Sequence, residues 1–180
     1  MKHIAIIGAG NWGTALAATL AQLGHGVTLW AYEPEVVTSI QSRHENELFM
    51  PGSKLPESVS ATGDLAEALA GAEIVVTVMP SHVCRALYQQ MLPHLRPDMI
   101  FVSATKGIDN DRLMRMSEVI RSVVEQKFPP RLCALSGPSF AKEVMRGDPT
   151  AVKLRCRAEM SASVARPSWL MRRCSGHCLT

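Results

Sequence analysis

Residues 3–23 read HIAIIGAGNWGTALAATLAQL, and this stretch decides the fold. His3–Gly8 is apolar and β-branched, as a buried strand should be. Gly8-x-Gly10-x-x-Gly13 follows it directly, and Trp12–Leu23 then places Ala and Leu at helical spacing. A strand, a glycine turn and a helix start in that order form the context in which a dinucleotide-binding loop works. The three glycines serve different ends. Gly8 permits the tight turn, Gly10 lets the backbone approach a pyrophosphate, and Gly13 lets helix and strand pack closely. The helix N-terminus adds unpaired N–H groups and a partial positive charge for the phosphates.

Outward from this unit, the alternation continues. Gly24-His25-Gly26 breaks the helix, and Val27–Trp30 forms the next strand. Pro34 suits the first turn of a helix running to about Arg43, and His44–Glu57, with Pro51, Gly52 and Pro56, reads as a loop. Asp64 is placed to cap a helix over Leu65–Ala70. Glu73–Met79 is a buried strand, and Pro80-Ser81 opens a helix to about Leu92. Met99–Ala104 and Arg131–Leu135 read as strands, Arg112–Glu125 as a helix, and Ser136-Gly137-Pro138-Ser139 as the lead into a short helix ending near Gly147. Continuous apolar strands alternating with amphipathic helices imply an α/β fold with a doubly wound, mostly parallel sheet of Rossmann type.

Composition divides the chain. Apolar residues make up 47% and charged residues 19%, enough for a core and too few charges for a disordered chain. Residues 1–152 hold 13 basic and 15 acidic side chains, whereas residues 153–180 hold six basic and one acidic. Three of the five cysteines lie in that basic stretch. The expected organisation is a dinucleotide-binding domain over 1–152 and an atypical Arg- and Cys-rich tail over 153–180, foreign to the fold and without strand or confident helix patterning. The basic tail carries no recognisable nucleic-acid module, so no nucleic-acid partner is expected. No apolar run reaches the ~18 residues of a membrane span, and no secretory signal precedes the first strand. A cytoplasmic location follows as an expectation, with Cys84 and Cys133 as reduced core thiols. No metal site is expected.

Beyond the second strand, Ala31, Tyr32 and Glu33 would face an adenine ribose. Glu33 suits a 2′-hydroxyl, which favours NAD, but it equally suits the start of the helix at Pro34. The choice between NAD and NADP stays open. Lys106 follows a strand, at the carboxyl edge where ligands bind, and its ammonium can hold an anionic substrate or polarise a developing alkoxide. By residue type alone it is as well read as a solvated loop lysine. Ser136–Ser139 places N–H groups and hydroxyls at a helix start, which fits either a polar ligand or an ordinary cap. His82 is more readily a solvent-facing residue than a proton donor.

Six segments together resemble the bacterial type of NAD(P)-dependent glycerol-3-phosphate dehydrogenase. They are Gly8–Leu16 (GAGNWGTAL), Val27–Trp30 (VTLW), Asn46–Pro56 (NELFMPGSKLP), Val76–His82 (VTVMPSH), Ser103–Ile108 (SATKGI), and Leu135–Val144 (LSGPSFAKEV) with Gly147–Val152 (GDPTAV). The resemblance implies an oxidoreductase that interconverts dihydroxyacetone phosphate and sn-glycerol 3-phosphate with NAD or NADP, feeding phospholipid synthesis, with a homodimer left open. Carried over by position, Asn11, Trp12, Tyr32, Lys106 and Ala141 match cofactor contacts, and Lys106, Gly137 and Ser139 match substrate contacts. The family commonly has Arg or His where Tyr32 stands. Its main catalytic lysine lies in a Lys-Asn motif at the start of a second, all-helical domain, and no such motif occurs here. Lys106 is then a supporting group, and impaired turnover is expected, with cofactor binding without turnover as the alternative. A frameshift in the coding sequence best accounts for the change in composition after Val152, ahead of a natural truncated paralogue or a deliberate cut.

Overall fold

A computed structural model describes residues 1–137 and 139–156. Within it, β1 (His3–Ile7), β2 (Gly26–Trp30), β3 (Val59–Thr62), β4 (Ile74–Thr77), β5 (Ile100–Ser103), β8 (Arg131–Ser136) and β9 (Lys153–Cys156) build one sheet in the order β3-β2-β1-β4-β5-β8-β9. The first six run parallel, and β9 pairs antiparallel with β8. Strand order reverses at β1, so a crevice opens between the chains leaving β1 and β4, the place where this architecture takes its ligands. The expected doubly wound sheet is present.

Successive strand residues feed two cores. Ile4, Ile6, Val27, Leu29, Ile74, Val76 and Val102 face one side, while Ala5, Ile7, Val75 and Phe101 face the other. The two-residue side-chain period makes this unavoidable once both faces are covered, and explains why β4 reads as an unbroken apolar run. Helices α1 (Asn11–Gln22) and α2 (Pro34–Arg43) cover the first face, and Met145 of α6 (Ala141–Arg146) packs there too. The second face is covered by α3 (Leu65–Leu69), α4 (Cys84–Met91) and α5 (Met116–Val124). Asp64 caps α3 as its residue type predicts, accepting from Ala66 N and Glu67 N at 2.6 and 3.1 Å.

Four features depart from the sequence reading. Val59–Thr62, passed over between loop and helix, is the edge strand β3. The segment read as the start of a helix at Arg112 instead forms a small hairpin of β6 (Ile108–Asp109) and β7 (Met114–Arg115), and α5 begins only at Met116. Arg85 fixes this hairpin, meeting Asp109 at 3.2 Å and Ser122 at 3.0 Å. The sheet also continues four residues past Val152, where Lys153–Cys156 form β9. Finally, Cys133 is not a free thiol. It is disulfide-bonded to Cys156, its register partner across β8 and β9, with Cα atoms 4.1 Å apart. The reading of Cys133 as solitary failed because its partner arrives 23 residues later, in the stretch taken as foreign to the fold. Cys84 is buried and free, and burial pushes its thiol up to about 11. Residues 157–180, the rest of the expected tail, lie outside the described residues.

Candidate functional site

The glycine loop shows three different demands for the same residue type. Gly8 has φ +119°, and a Cβ there would stand 2.1 Å from the Val78 carbonyl oxygen. A Cβ on Gly13 would stand 1.9 Å from the Gly8 carbonyl oxygen. Both positions are forced by packing inside the protein. A Cβ on Gly10 would meet nothing within 4 Å. No neighbour among the described residues requires Gly10, and its bareness leaves backbone free for an incoming group. Gly10 is also the N-cap of α1, without a side-chain cap, so the first-turn N–H groups stay available. Gly8 N donates to Trp30 O at 3.1 Å, which sets the loop beside the end of β2.

Tyr32 and Glu33 follow β2 directly. Tyr32 is 81% exposed and tilts against Trp30 at 6.5 Å between ring centroids. Glu33 occupies the N-cap of α2, yet its carboxylate makes no cap hydrogen bond. The helix-start reading is therefore true of its backbone, while its side chain is left for another partner.

On the other side of the loop lies a cleft of about 400 Å³, lined by Trp12, Thr105, Lys106, Ser136, Gly137, Ser139 and Val152 among others. Lys106 spans it. Its Nζ donates to the Ser139 carbonyl at 3.3 Å and stands 5.9 Å from the Trp12 ring centroid. Gly107, at φ +100°, turns the chain so that Lys106 projects from the carboxyl edge of β5. Gly137, at φ +153°, lies so close to the segment before β9 that a Cβ would stand 2.5 Å from Ala151 O. Ser139 is buried, and Ala141, half-buried, opens α6. Lys106, Trp12, Gly137 and Ser139 thus meet in one cleft. Tyr32 and Glu33 lie apart, at the end of β2. His82 is exposed in a short turn and does not line the cleft.

One residue at the loop was not singled out by the sequence reading. Asn46 is fully buried, and its side-chain amide donates to Ala9 O at 2.7 Å and to Thr14 Oγ1 at 2.8 Å. The partners stand 37 and 32 positions away in sequence, and no local periodicity signals such contacts.

Comparison with known proteins supplies the family. A model of the NAD-dependent glycerol-3-phosphate dehydrogenase N-terminus matches residues 3–162. The chain belongs to that family. The match runs past Val152, where the sequence reading placed the end of the family's similarity. A glycerol-3-phosphate dehydrogenase [NAD(P)+] from Koribacter versatilis is 59% identical over 153 residues, covering 84% of this chain and 45% of the relative. The protein of the same name from Citrifermentans bemidjiense is 48% identical over 161 residues, covering 89% and 48%. The crystal structure of glycerol-3-phosphate dehydrogenase from Coxiella burnetii superposes with a TM-score of 0.88 at 30% identity, over 99% of this chain and 54% of that one. The chain spans about half the length of the relatives it matches. Among the described residues, no group of three or more His, Cys, Asp or Glu could hold a metal, and no helix is long and apolar enough to cross a membrane.

Proposed function

We propose that this chain is the cofactor-binding half of an enzyme interconverting dihydroxyacetone phosphate and sn-glycerol 3-phosphate, with NAD or NADP as redox partner. One observation carries the reading. Packing among the described residues demands Gly8 and Gly13 but not Gly10, and Gly10 borders the same helix start that sends Trp12 into the cleft of Lys106 and Ser139. A dinucleotide laid across the carboxyl edge of the sheet would place its pyrophosphate at Gly8–Gly13 and Asn11, and its adenosine end at Tyr32 and Glu33. Its nicotinamide end would lie toward Trp12, Lys106 and Ala141.

The bound dinucleotide supplies the hydride; the chain's own residues supply charge and position. The substrate is a ketone carrying a phosphate, and its oxygen gains negative charge as it is reduced. Lys106 brings a cation to a cleft whose other described lining residues, Trp12, Leu135, Ser136, Gly137, Ser139 and Val152 among them, are uncharged, and there it stabilises the developing alkoxide. Gly137 and Ser139 shape the floor on which the substrate rests. Proton delivery to the alkoxide requires a positioned acid. Lys106 is the one ammonium lining the cleft among the described residues, and it is already engaged with Ser139 O. We therefore assign Lys106 a supporting role and expect weak turnover from this chain, with cofactor binding intact.

Calorimetric titration with NADH and NADPH, beside an absorbance assay with dihydroxyacetone phosphate, tests both parts. Binding of either dinucleotide supports the cofactor assignment, and no heat with either overturns it. Turnover at the rate of a full-length relative would overturn the supporting role given to Lys106.

A further inference from the structure

We infer that Asn46 is a positioning residue that aims the Gly10 N–H at the cofactor's pyrophosphate, an inference that rests on the dinucleotide reading above. The hydrogen bonds form a closed set. Asn46 Nδ2 donates to Ala9 O and to Thr14 Oγ1, while Thr14 Oγ1 donates to Ala9 O at 3.1 Å. Asn46 Oδ1 accepts from Phe49 N at 3.1 Å. Ala9 O can only accept, so the amide group must face it with its nitrogen, and the side chain has one workable orientation. All three groups are buried.

The consequence follows from peptide geometry. The Ala9–Gly10 peptide is planar and trans, so its N–H points opposite to its C=O. Two donors hold the Ala9 carbonyl inward. The Gly10 N–H is thereby turned outward, and no acceptor among the described residues meets it. Asn46 can hold this plane firmly because its own loop is fastened on both sides. Ser39 Oγ donates to Glu45 O at 2.6 Å, Met50 N donates to Asn46 O at 2.8 Å, and Glu45 accepts from Gly52 N and pairs with Lys54 at 2.7 and 2.9 Å. A distant, stiff loop thus sets the direction of one donor in the glycine turn.

Residue chemistry makes this specific. An ionised Asp at position 46 cannot donate and would set a carboxylate against the Ala9 carbonyl. Thr14→Val keeps shape and removes one of the two inward donors, and Thr14→Ser keeps the donor.

The test uses the full chain, ¹⁵N-labelled, with NADH and ADP-ribose as probes. In the unchanged chain, ADP-ribose should move the Gly10 amide proton downfield as it gains an acceptor. In Asn46→Asp the dissociation constants for both probes should rise about tenfold or more, and the Gly10 shift should vanish. Thr14→Val should give a smaller loss in the same direction, with Thr14→Ser restoring both readouts; this pair decides the matter should Asn46→Asp fail to fold. Unchanged affinity and an unchanged Gly10 shift in Asn46→Asp or Thr14→Val would overturn the inference while leaving the dinucleotide reading intact. Failure of the unchanged chain to bind either probe would remove both together.

Discussion

Lys106 Nζ stands 5.9 Å from the centroid of the Trp12 ring, so the start of α1 and the turn after β5 share one cation. Lys106 is an exposed residue whose ammonium donates to Ser139 O. Replacing Lys106 by Met keeps the length of the chain and removes the charge. Loss of one charge-assisted contact should weaken binding of a phosphorylated ketone analogue to the dinucleotide complex by about 10- to 100-fold, equivalent to ~1.5–3 kcal/mol. Thermal stability should stay near that of the parent. Competition calorimetry measures the first, and unchanged analogue affinity would contradict the assignment.

The three loop glycines should separate under substitution by Ala. Gly8→Ala and Gly13→Ala drive a Cβ into backbone carbonyls and should destabilise the fold by about 3 kcal/mol or more. Gly10→Ala meets open space at an ordinary φ of −65°. It should fold within about 1 kcal/mol of the parent while losing dinucleotide affinity. Denaturant unfolding and NADH titration on the three variants would show whether stability and binding part company at Gly10 alone.

The first turn of α5 predicts a pH response. Glu118 Oε1 and Oε2 accept from Arg115 Nη2 and Arg115 N at 2.9 and 2.8 Å, and these bonds hold its carboxyl at about 2. The folded value is depressed, so the contribution is complete above the ordinary carboxylate value of 4.5 and is lost as pH falls toward about 2. Glu118→Gln should lower the urea midpoint at neutral pH, with the gap to the parent closing between pH 4.5 and 2. A gap of constant size across that window would contradict the role given to the pair.

Reduction of the Cys133–Cys156 bridge should free the edge strand. Closing a loop of 23 residues restrains the unfolded chain by about 3 kcal/mol in the chain-entropy account. Treatment with a dithiol, or Cys156→Ser, should lower stability by that order and speed amide exchange in Lys153–Cys156 before the parallel strands respond. Cys84, buried with its thiol raised to about 11, should resist alkylation until global unfolding.

Much of this molecule was legible because its demands are local. Gly13 is enforced by the Gly8 carbonyl five positions away, the glycine turn sits directly between a strand and a helix of clear local pattern, and the apolar run of β4 follows from burial on both faces. The features that escaped the sequence reading have weak local pattern or distant partners. Val59-Ser-Ala-Thr62 is a four-residue edge strand without an apolar run. Ile108–Asp109 and Met114–Arg115 are too short to show a period. Lys153–Cys156 alternates in and out only moderately and sits where composition changes. Asn46 acts across 37 positions of sequence, and the amide of an asparagine in a loop looks the same in sequence whether it faces water or a buried carbonyl.

The seam between β8 and β9 also sets a direction of travel. Lys153 enters opposite Ser136, beside the cleft, and Cys156 leaves opposite Cys133, closer to the amino ends of the parallel strands. The backbone therefore turns its back on the crevice within four residues. Among the described residues, the last strand of the sheet thus carries the chain away from the cleft of Lys106, so that Val152, rather than β9 itself, contributes to its wall.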